Sequence, residues 1–114
     1  MNYVIAIIQP PKLDAVRNAL QKLGVTGLTV SDAQGYGRQK GHKEVYHGHE
    51  YVVNFVRKVK LEIACDAALC DKVIEAISTA AKTEGGKVGD GKIFVLDLKE
   101  TVRIRTGERG SIAI

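Results

Sequence analysis

The strand-like run Tyr3-Val4-Ile5-Ala6-Ile7-Ile8 is apolar on both faces, and this limits the possible folds more than any other stretch of the chain. In an extended segment Tyr3, Ile5 and Ile7 point one way, while Val4, Ala6 and Ile8 point the other. The last strand-like run repeats the pattern, with Ile93 and Val95 against Phe94, Leu96 and Leu98. A half-solvated antiparallel sheet alternates apolar with polar residues instead. Both faces of this sheet therefore need cover.

The order of elements says where one cover comes from. Residues 3–9 read as a strand stopped by Pro10-Pro11, and Pro11 suits the first turn of a helix. Leu13, Val16, Leu20 and Leu23 follow at helical spacing, with Gly24 as a C-terminal cap. Residues 28–36 form a second strand, and 56–64 a third in which Val59, Leu61 and Ile63 alternate with Lys60 and Glu62. Asp66 is placed to cap a helix carrying Leu69, Val73, Ile74, Ile77 and Ala81, which Gly85-Gly86 ends. Residues 92–98 make the fourth strand. The order βαββαβ predicts an α+β sandwich with two helices on one face of an antiparallel sheet. Nothing remains to cover the second face, so a sister copy of the chain is expected there.

The 114 residues suit one domain, 1–114, with a core that needs no staples. A net charge of +4 permits an anionic ligand but lacks the basic stripe of a nucleic-acid binder. An RNA-recognition module shares the βαββαβ order but needs stacking aromatics on its first and third strands. Here VRKVKLEIA has none, so no nucleic-acid partner is expected. Cys65 and Cys70 match neither a Cys-x-x-Cys pair nor a zinc spacing and read as buried free thiols. No apolar run is long enough to cross a bilayer, and the opening residues lack a basic leader region, so the expected location is cytoplasmic.

Two segments carry the candidate chemistry. Gly89-Asp90-Gly91-Lys92 is a glycine-punctuated turn that lets backbone N–H groups approach an anion and adds a cation at the mouth of a strand. Arg103 and Arg105, two apart, project from one face of an extended segment. Together they suit a polyphosphate, although a solvated basic hairpin fits the same residues. The other segment, residues 37–54, is polar with no periodic apolar face, and reads as a long functional loop without regular structure. It holds His42, His47 and His49, whose spacing matches no structural zinc pattern, and Tyr51, which an exposed loop would offer to a modifying enzyme. No Ser-His or Cys-His pair or convincing general base stands beside the basic residues, so no enzyme is expected.

IIQPPKLDAVRNAL, GYGRQKGHKEVYHGHEY, KVKLEI, GDGKIFV and VRIRTGE resemble successive blocks of the PII nitrogen-regulatory signalling proteins, in register from residue 3 to about 109. The resemblance implies a homotrimer of ferredoxin-like subunits, a non-catalytic signal-transducing regulator of nitrogen metabolism. ATP or ADP would lie in each inter-subunit cleft, with 2-oxoglutarate beside Mg-ATP. The long loop would dock on targets such as an ammonium transporter, nitrogen-assimilation enzymes or regulatory kinases. A membrane would be met only through the transporter.

Carried over residue by residue, the resemblance places Gly35, Tyr36, Gly37, Arg38 and Gln39 at the loop base against the nucleotide. Thr29, Glu62 and Ala64 would line the adenine pocket with Ile7. Gly89, Asp90, Gly91 and Lys92 would cradle phosphates in a turn spanning about 83–92, and Arg103 and Arg105 would reach across from a neighbouring subunit. Gln39 would ligate Mg2+, and Gln39, Lys58 and Gly89 would hold 2-oxoglutarate. Micromolar affinity needs about 8 kcal/mol, and charge-assisted hydrogen bonds contribute about 1.5–3 kcal/mol each. A few such contacts plus adenine packing therefore suffice after association costs.

The departures from the family pattern are local. Gln9-Pro10-Pro11 replaces the usual Lys-Pro-Phe, removing one cation near the cleft. The turn Thr83-Glu84-Gly85-Gly86-Lys87-Val88 is about two residues longer than usual. His47 stands where some members use an arginine to enter a transporter pore, and His49 excludes a serine phosphorylation seen in some branches. These changes define the alternative, a PII-like adenylate sensor that does not respond to 2-oxoglutarate.

Overall fold

The computed structural model describes residues 1–36, 44–46, 49–51 and 55–114, with 44–46 and 49–51 described by their backbone. Strand β1 (Asn2–Ile8) runs into a 3-10 turn at Pro10–Lys12, and helix α1 occupies Leu13–Lys22. Pro10 biases Gln9 toward extended backbone, φ −69° and ψ 135°, so the chain begins to coil only after it, first as the 3-10 turn and then as α1. Gly24 follows in the left-handed region at φ 84°, which closes the helix as the sequence predicts. Strand β2 is Thr29–Gly35.

Strands β3 (Glu44–Tyr46) and β4 (His49–Tyr51) form a small antiparallel pair, Glu44 opposite Tyr51 and Tyr46 opposite His49. The expectation of a loop without regular structure is thus corrected over these six positions. Strands of three residues carry no apolar period that could announce them. The remainder of 37–54 lies outside the described residues.

Strand β5 (Val56–Cys65), helix α2 (Ala67–Ala81) and strand β6 (Gly91–Asp97) complete the body. Asp66 holds the N-cap position of α2 with extended backbone, but its side chain makes no capping bond; its carbonyl accepts instead from the Leu69 amide at 2.9 Å. Gly85-Gly86 does not end α2, which stops at Ala81. Both glycines sit at positive φ in the turn that follows.

The sheet is antiparallel throughout, in the order β2-β5-β1-β6, with β5 and β1 central. This is the α+β arrangement that the element order predicts, and it is consistent with the ferredoxin-like fold that the resemblance implies. Val4, Ala6 and Ile8 of β1 and Val59, Leu61, Ile63 and Cys65 of β5 are buried beneath the helices. They meet Val16 and Leu20 of α1 and Val73, Ile77 and Ala81 of α2. The cysteines are buried and free, and burial first, then the Cys70 thiol, pushes the Cys65 thiol above its usual range.

Among the described residues nothing covers the opposite face of the sheet in this way. Tyr3, Ile5 and Ile7 are only half-buried, and Phe94 and Leu96 on β6 remain 49% and 50% exposed. The chain thus presents an apolar strip along β1 and the end of β6, as the two-faced strands require, with polar residues of β2 and β5 beside it. Among the described residues no helix is long and apolar enough to cross a membrane.

Candidate functional site

The strand register gathers much of the predicted site on the open face. One row across the sheet reads Thr29, Glu62, Ile5 and Phe94; the next reads Ser31, Lys60, Ile7 and Lys92. Ala64 stands beside Tyr3 and Leu96 in the row on the other side of Glu62. Ile7, Thr29, Glu62, Ala64 and Lys92 therefore share one face, because side chains two apart on a strand point the same way.

Glu62 is fixed in this array by two neighbours that sequence reading missed. The Tyr3 hydroxyl donates to its Oε2 at 2.6 Å, and the Lys60 ammonium lies 3.0 Å from Oε1. The Tyr3 hydrogen bond, then Lys60, holds the Glu62 carboxyl below its ordinary range. The same bond, with burial, raises the Tyr3 phenol. Tyr3 and Glu62 are far apart in sequence, and only the register of β1 on β5 could have paired them.

The glycine turn lies where β6 begins, beside the end of β1. Gly89 and Gly91 have φ of 98° and 121°, values that L side chains rarely adopt. At Gly91 a Cβ would lie 1.8 Å from the carbonyl oxygen of Ile7, so no other residue fits. Lys58, only 8% exposed, reaches this turn from β5 and donates from Nζ to the Gly89 carbonyl oxygen at 2.6 Å. Gly35 makes room for it: a Cβ there would press on Lys58 Cγ at 3.2 Å.

The Asp90 carboxylate is turned back onto its own loop. Its Oδ2 accepts from the amides of Lys87 at 3.0 Å and Thr83 at 3.1 Å, and the Thr83 hydroxyl donates to Oδ1 at 2.9 Å. Chiefly the Lys87 amide, and then Thr83, keeps this carboxyl below the usual carboxylate range. A cavity of about 590 Å3 lies beneath the turn on the helix side, walled by Ile77, Ala81, Lys87, Val88 and Ile93. Ile7, Asp90, Gly91 and Lys92 border it, whereas Thr29, Glu62 and Ala64 do not. The cavity and the open face thus meet at the turn but are different surfaces.

Arg103 and Arg105 do not occupy an extended segment, which corrects the expectation that they project from one face. Residues 104–106 form the tip of a hairpin, closed by Gly107 N to Arg103 O at 2.7 Å and Arg103 N to Glu108 O at 2.9 Å. Gly107, at φ 73°, permits the reversal that a purely alternating reading overlooks. Arg103 pairs with Glu108 Oε1 at 2.8 Å and donates to the Ile112 carbonyl at 2.7 Å, while Arg105 is exposed.

Nor do these arginines meet Lys92 within the chain. The hairpin leaves from the start of β1, where Leu98 N bonds Met1 O at 3.0 Å and Thr101 Oγ1 approaches Met1 Sδ at 3.7 Å. Lys92 pairs with Ile7 at the other end. Seven strand residues separate the two ends by about 20 Å. At the base of the long loop, Tyr36 packs on Phe55 with ring centroids 6.0 Å apart. Gly37, Arg38 and Gln39 lie outside the described residues, as do the side chain of Tyr51 and the histidines.

This fold, with a glycine turn at one end of its sheet and a basic hairpin at the other, is that of a known regulatory class: the chain belongs to the nitrogen regulatory protein P-II family, whose model matches residues 1–108. It is 55% identical over 114 residues to the nitrogen regulatory protein P-II of Rhodospirillum rubrum and 55% identical to that of Rhizobium etli, all of each chain being covered. The protein of the same name from Azospirillum brasilense is 54% identical over the same span.

Proposed function

We propose that this chain is a non-catalytic sensor of nitrogen status, a homotrimer that binds ATP or ADP in its inter-subunit clefts. With Mg-ATP it also takes up 2-oxoglutarate, and it reports through residues 37–54 to target proteins. The observation that carries the reading is the division of its cations. Lys92 stands at one end of β1 and the arginine hairpin at the other, on a chain whose open face is apolar along β1 and β6. A polyphosphate contacts both sets only when a second subunit covers that face and brings its hairpin to the first subunit's turn.

Each side chain has a task it can perform as placed. Thr29, Ala64 and Ile7 offer a small, partly apolar floor for a purine, and Glu62, oriented by Tyr3 and Lys60, offers a carboxylate acceptor. Gly89 and Gly91 present backbone without a Cβ, and Lys92 adds a charge beside it. Lys58 spends one of its three donors on Gly89, leaving two for a carboxylate of the effector. Mg2+, which prefers oxygen ligands, would draw on the Gln39 amide oxygen and supply the link between nucleotide and keto-acid. Because Lys58 holds the phosphate turn through Gly89, effector and nucleotide act on one element, and their coupling is reciprocal.

Calorimetric titration with ATP and Mg2+, repeated with 2-oxoglutarate, tests the reading. Affinity for 2-oxoglutarate only in the presence of Mg-ATP supports it. Nucleotide binding indifferent to 2-oxoglutarate marks an adenylate sensor instead, the alternative that Gln9 and the longer turn favour.

A further inference from the structure

We propose that Asp90 is a positioning residue: its carboxylate staples together the two tight turns that carry the glycine amides, and does not itself face the phosphates. The inference rests on the nucleotide reading above and reassigns one residue within it. Residues 83–86 and 87–90 form consecutive turns, closed by Gly86 N to Thr83 O at 2.8 Å and Asp90 N to Lys87 O at 3.2 Å. Asp90 Oδ2 accepts from the amide of the first residue of each, Thr83 at 3.1 Å and Lys87 at 3.0 Å. The Thr83 hydroxyl adds a third donor, 2.9 Å from Oδ1 and 3.1 Å from Oδ2.

Charge and entropy both favour this role. A carboxylate aimed outward beside Lys92 would repel a phosphate and compete for the cation meant for it; bound back onto its own loop by three donors it does so less. Gly85 and Gly86, at φ 77° and 73°, give the loop between α2 and β6 wide conformational freedom, which costs entropy to restrict on binding. The staple restricts it beforehand. Asp90 lies between Gly89 and Gly91, so anchoring its side chain sets the direction of both neighbouring amides, while Lys58 holds Gly89 from the other side.

The test compares Asp90→Asn, Thr83→Val and Thr83→Ser with the unaltered full-length protein. Titration with ATP and with adenosine, both with Mg2+, separates phosphate recognition from base recognition. Amide hydrogen exchange of the nucleotide-free protein reads the turn directly. The ratio of ATP to adenosine affinity is expected to fall about tenfold in Asp90→Asn, less in Thr83→Val, and to be kept in Thr83→Ser. Exchange over 87–91 should accelerate in the same order. An unchanged or higher ratio in Asp90→Asn overturns the proposal, as does an equal loss for ATP and adenosine, which is the mark of a general folding defect. If the unaltered protein binds no ATP, the functional reading falls, and unchanged exchange at Gly89 and Gly91 in Asp90→Asn then overturns the staple on its own terms.

Discussion

Two polar contacts at the residue scale tie remote parts of the chain together, and each has a measurable consequence. The Tyr3 hydroxyl donates to Glu62, which raises the phenol above its ordinary range. A group whose acidic form is favoured in the fold stabilises it below the unfolded pKa and loses that effect as pH rises through the folded one. Tyr3→Phe should therefore lower stability at neutral pH and flatten its decline above pH 10, as followed by urea unfolding across the alkaline range. Glu62, with its carboxyl lowered, works in the opposite direction: its contribution is present above the unfolded value and fades as pH falls. Arg103 is held by Glu108 and the Ile112 carbonyl, which fixes its guanidinium at the hairpin. Arg103→Ala should abolish nucleotide binding while leaving the assembly intact, checked by titration alongside light scattering; loss of assembly would make the residue structural.

Among the elements, the turn and the hairpin show what the sequence could and could not convey. Alternation in VRKVKLEIA fixed the faces of β5, with Val59, Leu61 and Ile63 inward and Lys60 and Glu62 outward. Helical spacing placed α1 and α2 within a few residues, because buried apolar stripes obey one period. The small pair β3 and β4 was missed, since three-residue strands carry no period long enough to read. The hairpin at Arg103 was misread as extended because its reversal depends on Gly107 and on a bond to Glu108, neither visible in the alternation. The direction of the Asp90 side chain was likewise hidden, as a turn carboxylate can face in or out with the same sequence. Gly91 was legible as part of a glycine turn, but the Ile7 carbonyl that leaves no room for a Cβ there was not. Gly91→Ala combines a φ of 121° with a Cβ 1.8 Å from Ile7 O, and should cost at least about 2 kcal/mol in urea unfolding.

For the whole molecule, the open apolar face is the central physical fact. Strands apolar on both sides foretold it, and Tyr3, Ile5, Phe94 and Leu96 now mark where it lies. A trimer of 12.4 kDa chains would scatter as about 37 kDa. Leu96→Asp, a charge placed on that face, should shift the mass toward the single chain and weaken nucleotide binding with it. That joint loss follows because Lys92 and the arginine hairpin stand at opposite ends of one subunit and can serve one ligand only across an interface. The measurement that bears most directly on this account is calorimetric titration of the assembled protein with Mg-ATP, with and without 2-oxoglutarate. The account predicts that 2-oxoglutarate binds only alongside Mg-ATP and tightens it, and binding of either ligand with no effect on the other would contradict it.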